Sequence, residues 1–364
     1  MQADEFISAP VGNGLLLARR RAHRLFALNE TARFVWECHL QNLTPAEMGE
    51  RLAEAYGIEP SLARRDVDAV LRQWREEGLI ESGRPRLACV VGGCRFLLRL
   101  GPPEVQDALA TILSSLVCEE AGALPFRREA TIEVTEREGK YLVSVDEGAA
   151  SLAPTLDAVV ESVQTGMIRH VFNVTDCQIS MHSAAVGRPA GCILIAGESG
   201  SGKTTLVARM LSCGLDYVAD DLVLAMPPDL AVLPIAMPLV LKRGSWADLD
   251  GLLPGLGAAR VFRRAGRDVK YWMPPRERIA QGPVPIRAIV FPRFAGNTPF
   301  AATRLDAFGA LSRIMKAPTR IGIPLTDAAV ERVATLVQGI PVYEIAYDNA
   351  DSAARWAEDL LPGR

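Results

Sequence analysis

The stretch Gly191-Cys-Ile-Leu-Ile-Ala-Gly-Glu-Ser-Gly-Ser-Gly-Lys-Thr-Thr-Leu206 limits what this chain can fold into more than any other. Cys192 to Ala196 is an unbroken apolar run, which predicts a buried parallel strand. It stops at Gly197, and an apolar, helix-forming segment follows from Leu206 to Leu211. Between them Gly197, Glu198, Ser199, Gly200, Ser201, Gly202, Lys203 and Thr204 satisfy G-x-x-x-x-G-K-[ST] in the strand–loop–helix context that this motif requires. Glycines let the backbone turn tightly enough to aim successive N–H groups at phosphate oxygens. The helix N-terminus adds partial positive charge at the same point. Lys203 can then reach the β- and γ-phosphates, the Thr204 hydroxyl can ligate Mg²⁺, and Thr205 completes the loop. A glycine-rich turn matching by chance would not bring both flanks with it. The stretch implies a nucleotide site.

Composition bounds the rest. A chain of 364 residues has room for two or three domains of about 100–200 residues each. Its net charge of −3 supplies no basic field for nucleic acid. The local run Arg19-Arg20-Arg21 reads as a solvated face. No apolar run approaches the roughly 18 residues of a membrane span, and Met1-Gln-Ala-Asp-Glu-Phe6 lacks the basic and apolar parts of a signal peptide. Seven scattered cysteines, an odd number, suggest reduced thiols and a cytoplasmic location. Cys89 and Cys94 are the nearest pair; with no partner pair or nearby histidine they read as core thiols.

From the start of the chain, Phe6–Ala9, Leu15–Arg19 and Leu25–Leu28 read as short strands, with Asn13-Gly14 as a type I′ turn between the first two. Asn29 caps a helix over Glu30–His39. Thr44-Pro-Ala-Glu47 is a capping box that opens a second helix, ended by Gly57. Pro60-Ser61 begins a third, with Val67, Val70, Leu71 and Trp74 as its apolar stripe, ended by Gly78. Leu79-Ile80 reads as a closing strand and Gly83-Arg-Pro85 as a linker. This is a winged-helix-like α+β module over residues 1–85. Its third helix offsets Arg64, Arg65, Arg72 and Arg75 with Asp66, Asp68, Glu76 and Glu77, which argues against phosphate-backbone binding.

These segments carry a resemblance. Leu25-Phe-Ala-Leu-Asn-Glu-Thr-Ala32, Thr44-Pro-Ala-Glu47, Tyr56-Gly57 and Val67-Asp-Ala-Val70 through Glu77-Gly-Leu-Ile80 resemble the PqqD family, the peptide-recognition modules of ribosomal peptide modification systems. The resemblance implies that a leader peptide adds as a strand to the sheet edge and packs on the last helix. The residues it implicates are Leu25 and Phe26 on the edge, and Val67, Val70, Leu71 and Trp74 as the groove wall, although core packing competes for these side chains.

Residues 86–177 read as an α+β lead-in to the second domain, with strands at Leu87–Val91, Phe96–Leu100, Thr131–Thr135 and Tyr141–Val145. Glu138-Gly139 marks a turn, and helices are expected near Glu104–Leu116 and Leu156–Thr165. Two features then flank the nucleotide loop: Ser180-Met-His-Ser-Ala184 upstream, and Asp220-Asp221 at the end of the apolar segment Leu215–Ala219 downstream. Carboxylates at a strand C-terminus in an α/β sheet face the ligand crevice. One can take a hydroxyl proton while the other helps to hold Mg²⁺. His182 beside them is a candidate to orient or tune the base.

The set of His182, the loop Gly197–Thr205 and Val218-Ala-Asp-Asp221 is similar to the HPr kinase/phosphorylase family. The resemblance implies ATP and Mg²⁺ as cofactors, Asp220 as general base, Asp221 and Thr204 at the metal, and Lys203 and His182 in catalysis. Relatives in that family are hexameric, which leaves a homo-oligomer open. That family also carries a Glu-Ile-Arg-Gly-Leu-Gly signature, where this chain has Pro238-Leu-Val-Leu-Lys-Arg-Gly-Ser-Trp246 without an acidic residue. The pattern instead looks like the related kinases of peptide biosynthesis clusters, including lasso peptide kinases, with Lys270-Tyr-Trp272 and Phe291-Pro-Arg-Phe294 as weaker matches. Lys242, Arg243, Lys270 and Arg293 are candidate phosphate or substrate contacts.

The expected architecture is therefore an α/β P-loop, HPr-kinase-like domain over residues 86–364, with its nucleotide-binding part at 178–364, preceded by a PqqD-type module. The last 65 or so residues read as helices over 300–320, 326–338 and Ala350–Leu361 around a strand at Val342–Tyr347. The expected activity is phosphorylation of a Ser or Thr of a precursor peptide, without nucleic-acid or membrane partners. A metabolic kinase acting on a small hydroxylated substrate, an HPr-type serine kinase and a nucleotide-gated binding protein are the alternatives.

Overall fold

The computed structural model describes residues 6–19, 25–41, 43–77, 79–80, 87–118, 128–146, 148–197, 200–322 and 325–361. Arg20, Arg21, Gly78, the linker Gly83–Pro85, Glu198, Ser199 and Pro324 lie outside them. The chain divides into two compact units, Met1–Arg84 and Pro85–Arg364, both of mixed helix and strand.

The first unit is an antiparallel sheet of β1 (Phe6–Val11), β2 (Gly14–Arg19) and β3 (Leu25–Leu28), followed by α1 (Glu30–Leu40), α2 (Pro45–Tyr56) and α3 (Pro60–Glu76). The β1–β2 turn is Gly12-Asn13 rather than Asn13-Gly14, since Val11 pairs with Gly14 and Gly12 carries the positive φ of 59°. Gly14 is needed for a different reason: a Cβ there would stand 2.4 Å from the Leu28 carbonyl oxygen. The Asn29 side chain accepts from the Ala32 N–H, the Thr44–Glu47 capping box is reciprocal, and Gly57 ends α2 in the left-handed conformation at φ 61°.

Leu79-Ile80 is not a strand. Both N–H groups turn back to the Trp74 carbonyl, at 2.8 and 3.4 Å, so they close the C-terminus of α3 instead of joining a ladder. Their apolar side chains are nonetheless buried, which is what the hydrophobic pair signalled. The core they join is aromatic, with Trp36 edge-on to Phe6 at 5.3 Å and to Trp74 at 5.7 Å. Trp74→Ala is expected to destabilise this unit by about 3–5 kcal/mol, because the cavity left between fixed helices cannot collapse fully. Thermal unfolding of the full chain should show an earlier transition, with proteolysis confined to residues before 85.

In the second unit, β4 (Leu87–Val91), β5 (Cys94–Leu100), β6 (Arg128–Arg137), β7 (Lys140–Val145) and β8 (Ser151–Ala153) form one sheet in chain order. The helices α4 (Pro103–Ile112) and α5 (Leu156–Val174) cover it. The central sheet runs β12 (Asp216–Ala219), β10 (Ser183–Arg188), β11 (Gly191–Ala196), β18 (Ile286–Phe294), β21 (Val342–Tyr347), β19 (Ala301–Arg304). A small sheet holds β14 (Ala231–Leu233), β13 (Val223–Met226), β9 (Ile179–Met181) and β20 (Thr319–Ile321), and another holds β15 (Leu239–Lys242), β17 (Arg267–Trp272) and β16 (Val261–Arg264). The helices are α6 (Lys203–Ser212), α7 (Trp246–Leu249), α8 (Ala307–Lys316), α9 (Asp327–Gly339) and α10 (Ala350–Glu358). Residues 301–304 and 319–320, expected within a helix, lie in strands: β19 gains its hydrogen bonds from β21 and β20 from β9, partners that local pattern does not reveal.

Strand direction decides where chemistry can occur. β11, β18 and β21 are parallel neighbours, and β12, antiparallel to β10, which is itself antiparallel to β11, runs the same way as β11. The C-terminal ends of β11, β12, β18 and β21 therefore share one edge of the sheet. In α/β sheets that edge carries the ligand crevice.

Candidate functional site

The nucleotide-type loop leaves the end of β11, whose six residues are all buried, and enters α6 at Lys203. Gly200 and Gly202 hold φ of 92° and 90°, values that a side chain would strain. Lys203 is 7% exposed, and its ammonium donates to the Gly197 carbonyl at 2.6 Å. Ser201 Oγ is buried without a hydrogen-bond partner.

The end of β12 supplies the carboxylates. Asp220 is 5% exposed, and its Oδ1 is buried without a hydrogen-bond partner. Burial first, then the neighbouring Asp221 charge, pushes its pKa from 3.8 up to about 7, against the Asp221 N–H, the Lys203 ammonium and the Thr204 hydroxyl, which favour the ionised form. Asp221 is exposed and takes φ of 65°, with the Leu222 N–H donating to the Asp220 carbonyl at 2.8 Å. That is a γ-turn with positive φ, the rarer and strained kind.

His182 secures the turn. It joins β9 to β10, and Ser183 pairs with Ala196, so the histidine lies beside the start of the nucleotide-type loop. Its Nδ1 is 2.8 Å from the Asp221 carbonyl, which can only accept. Nδ1 is therefore the donor of this hydrogen bond.

His182, Lys203, Thr204 and Asp221 line one cleft of about 1290 Å³, entirely within the second unit. One part of the lining comes from the β15-β17-β16 sheet: Lys242 at the end of β15, and the β16–β17 hairpin, whose Ala265-Gly266 tip has positive φ at both residues and carries Arg264 and Arg267. Arg264 pairs with Glu161 at 3.3 Å and Arg209 with Asp351, whereas Arg267 is exposed and has no ion-pair partner among the described residues. Another part of the lining comes from the ends of β18 and β21: Phe294, Gly296, Asn297, Tyr347, Asp348 and Asn349.

Of the residues singled out in the sequence, Gly200, Gly202, Lys203, Thr204, Thr205, Asp221, His182 and Lys242 line the cleft, and Asp220 lies buried against Thr204. Gly197 holds the Lys203 ammonium, and Glu198 and Ser199 lie outside the described residues. Lys270 does not face the cleft. Its register in β17 turns it inward, where it donates to the Leu256 and Gly257 carbonyls at 2.8 Å and lies over the Trp246 ring, a structural role. Arg293 is exposed outside the lining, and Arg243 is turned toward Asp268 at 3.4 Å. In the first unit Phe26, Val67, Leu71 and Trp74 are core residues with 7% exposure or less, so they support a surface without lining it; Leu25 is 67% exposed and Val70 half-buried. Arg264, Arg267 and Asn297 were not singled out in the sequence, and Phe294 appeared there only within Phe291-Pro-Arg-Phe294, because only sheet order brings these residues together.

Mg²⁺ fits the residues present. Hydroxyl and carboxylate oxygens are hard donors, and Thr204 and Asp221 both line the cleft. The described residues hold no cluster of three or more metal-ligating side chains. No helix among the described residues is long and apolar enough to cross a membrane.

A family model described as Coenzyme PQQ synthesis protein D (PqqD) matches residues 14–80, so the chain carries a PqqD domain at its N-terminus. No curated protein matches the chain. Among solved structures it is similar to TbiB1 in complex with the TbiA(beta) leader peptide, with 20% identity over 22% of this chain and 93% of that one and a TM-score of 0.21. It is also similar to lasso peptide synthetase B1 complexed with the leader peptide, with 28% identity over 20% of this chain and 87% of that one and a TM-score of 0.19. The Hpr(Ser) kinase/phosphatase from Coxiella burnetii shares 10% identity over 50% of this chain and 92% of that one, with a TM-score of 0.24.

Proposed function

We propose that this protein is an ATP-dependent kinase of ribosomal peptide biosynthesis, which captures a precursor peptide by its leader and phosphorylates a Ser or Thr hydroxyl in the same peptide. The observation that carries the kinase half is Asp220, a buried carboxylate held against Thr204 and Lys203 at the end of a strand running with the nucleotide-loop strand. A carboxylate that titrates near neutrality beside a phosphate-binding lysine is suited to act as a general base. In this reading Asp220 takes the acceptor hydroxyl's proton as its oxygen bonds to the γ-phosphorus. The bond from the γ-phosphorus to the bridging oxygen breaks, and ADP leaves. Lys203 and the N–H groups at the start of α6 hold the phosphates, and His182 fixes Asp221 through its carbonyl. Thr204 and Asp221 would hold Mg²⁺, which supplies charge neutralisation on the phosphates.

The PqqD domain supports the peptide half. The leader would add along β3, an end strand of its sheet, against exposed Leu25 and the outer face of α3 near Val70. Tethering raises the acceptor's effective concentration to about the mM range, so a weak acceptor site suffices. Leu25→Asp is expected to weaken leader binding by about tenfold or more, by the loss of one apolar contact, without lowering the unfolding temperature. Fluorescence anisotropy of a labelled leader measures it.

The deciding experiment is intact-mass analysis of the precursor encoded beside this gene, incubated with enzyme, Mg²⁺ and ATP, with and without its leader. A gain of one phosphate that weakens sharply without the leader supports both halves. Equal phosphorylation of the leaderless peptide would remove the capture step. An unchanged peptide mass, with ATP consumed on small hydroxyl compounds, would point to a metabolic kinase.

A further inference from the structure

Two strands that end at the cleft, β18 and β21, bring residues that phosphoryl transfer does not use. Phe294 closes β18 and Tyr347 closes β21, and their rings meet edge to face at 5.9 Å. Tyr347 is 2% exposed, whereas Phe294 is 59% exposed although it lines the cleft. An exposed phenylalanine alone would mean little. This one is braced by a buried ring and set against the nucleotide loop: a Cβ built on Gly202 would stand 3.6 Å from Phe294 Cβ and 3.2 Å from the Tyr347 hydroxyl. The aromatic pair thus flanks the last glycine of the loop, at the point where α6 presents its N–H groups.

Polar groups complete this corner. The loop after β18 carries Asn297, held at φ 59°, a left-handed conformation that asparagine tolerates better than most residues. The loop after β21 carries Asp348, exposed on the cleft, and Asn349, whose side-chain oxygen caps α10 by accepting the Asp351 N–H at 2.8 Å. Asn297 offers a donor and an acceptor, and Asp348 only acceptors. An apolar ring face with convergent polar groups beside a phosphate site matches the two-sided chemistry of a nucleoside, apolar on its base planes and hydrogen-bonding at its edges.

We propose that this corner is the nucleobase subsite: a purine ring stacks on the exposed face of Phe294, and its polar edge meets Asn297 and Asp348. The proposal rests on the reading of Gly197–Thr205 as a triphosphate site and adds which part of the cleft selects the nucleoside. A purine is favoured over a pyrimidine because stacking on an aromatic side chain grows with the ring area covered. Asp348, as an acceptor, selects a base edge that donates, such as the exocyclic amine of adenine. The wall with Lys242 and Arg267 stays open for the phosphoryl acceptor, and the cleft's volume, above the usual range of about 300–1,000 Å³ for small-molecule sites, accommodates both.

Isothermal titration of the full-length chain with ATP and with inorganic tripolyphosphate, each with Mg²⁺, tests the subsite. Wild type is expected to bind ATP about tenfold or more tightly than tripolyphosphate, and CTP less tightly than ATP. Phe294→Ala should reduce ATP affinity to about that of tripolyphosphate, Phe294→Trp should keep the advantage, and Asp348→Asn should weaken ATP alone. Unchanged tripolyphosphate binding in each variant reports an intact loop. If Phe294→Ala retains the full advantage of ATP over tripolyphosphate, the subsite is overturned while the phosphate site stands. If neither ligand binds wild type, the triphosphate reading falls and takes the subsite with it.

Discussion

Lys203→Met is expected to lower ATP-dependent phosphorylation of the precursor by about 10²–10³-fold, the range for losing one preorganised charge that stabilises a developing transition state. The lysine is buried at the start of α6, its ammonium already drawn over the loop by the Gly197 carbonyl, whereas Lys242 and Arg267 are exposed and Arg209 is paired with Asp351. The methionine fills the same volume, so folding should be preserved, and leader affinity, a property of the other unit, should not change. Single-turnover mass spectrometry with saturating peptide reads the chemical step directly. A variant that phosphorylates at the wild-type rate would exclude the loop from catalysis.

Asp220→Asn is expected to produce two opposite effects. As general base it should contribute about 10²–10⁴-fold to the rate. In the wild type, kcat/KM should rise with pH through about 7 as the carboxylate ionises, and that limb should vanish in the variant. Stability should move the other way. The folded-state pKa lies above the unfolded value of 3.8, so the folded protein binds this proton more tightly than the unfolded chain does. Its contribution is therefore intact below about pH 4 and is lost as pH rises through about 7, on the order of a few kcal/mol in all. Asparagine cannot ionise. The variant should melt above wild type at about pH 8 and converge with it toward about pH 4. Asp221→Asn separates the two carboxylates, since it should raise the Mg²⁺ concentration for half-maximal rate and leave the pH limb in place. A pH limb that survived Asp220→Asn and disappeared with Asp221→Asn would transfer the role of base to Asp221.

The exposed and the buried parts of the site differed in how readily the sequence disclosed them. The nucleotide-type loop, Asp220-Asp221 and His182 are legible because they obey local rules: fixed spacing, an apolar run before each break, a polar residue where the run ends. The Asn29 and Thr44 caps and the Gly57 stop are legible for the same reason, since each is satisfied within four residues of chain. Lys270 and Lys242 look alike in sequence, two cations beside apolar residues of a strand. One caps carbonyls in the interior and the other faces the cleft, and only the pairing of β15 with β17 distinguishes them. Phe26, Val67, Leu71 and Trp74 likewise read equally well as groove or core, because an apolar stripe reports burial without naming what covers it.

Local patterns in the chain were enough to place a glycine-rich loop between a buried strand and a helix, an acidic pair after a second apolar strand, and a small module of strands and three helices at the start. That β12 runs with β11 although β10 lies between them, so that Asp220 meets the loop, comes from the pairing of distant strands. That pairing also decided that β18 and β21 end at the same edge, bringing Phe294 and Tyr347 to Gly202. The difference is one of range. Caps, turns and periodicity are set by neighbours within a helical turn or a hairpin, whereas strand order and direction are set by which distant apolar faces bury one another, and no short window of sequence carries that choice.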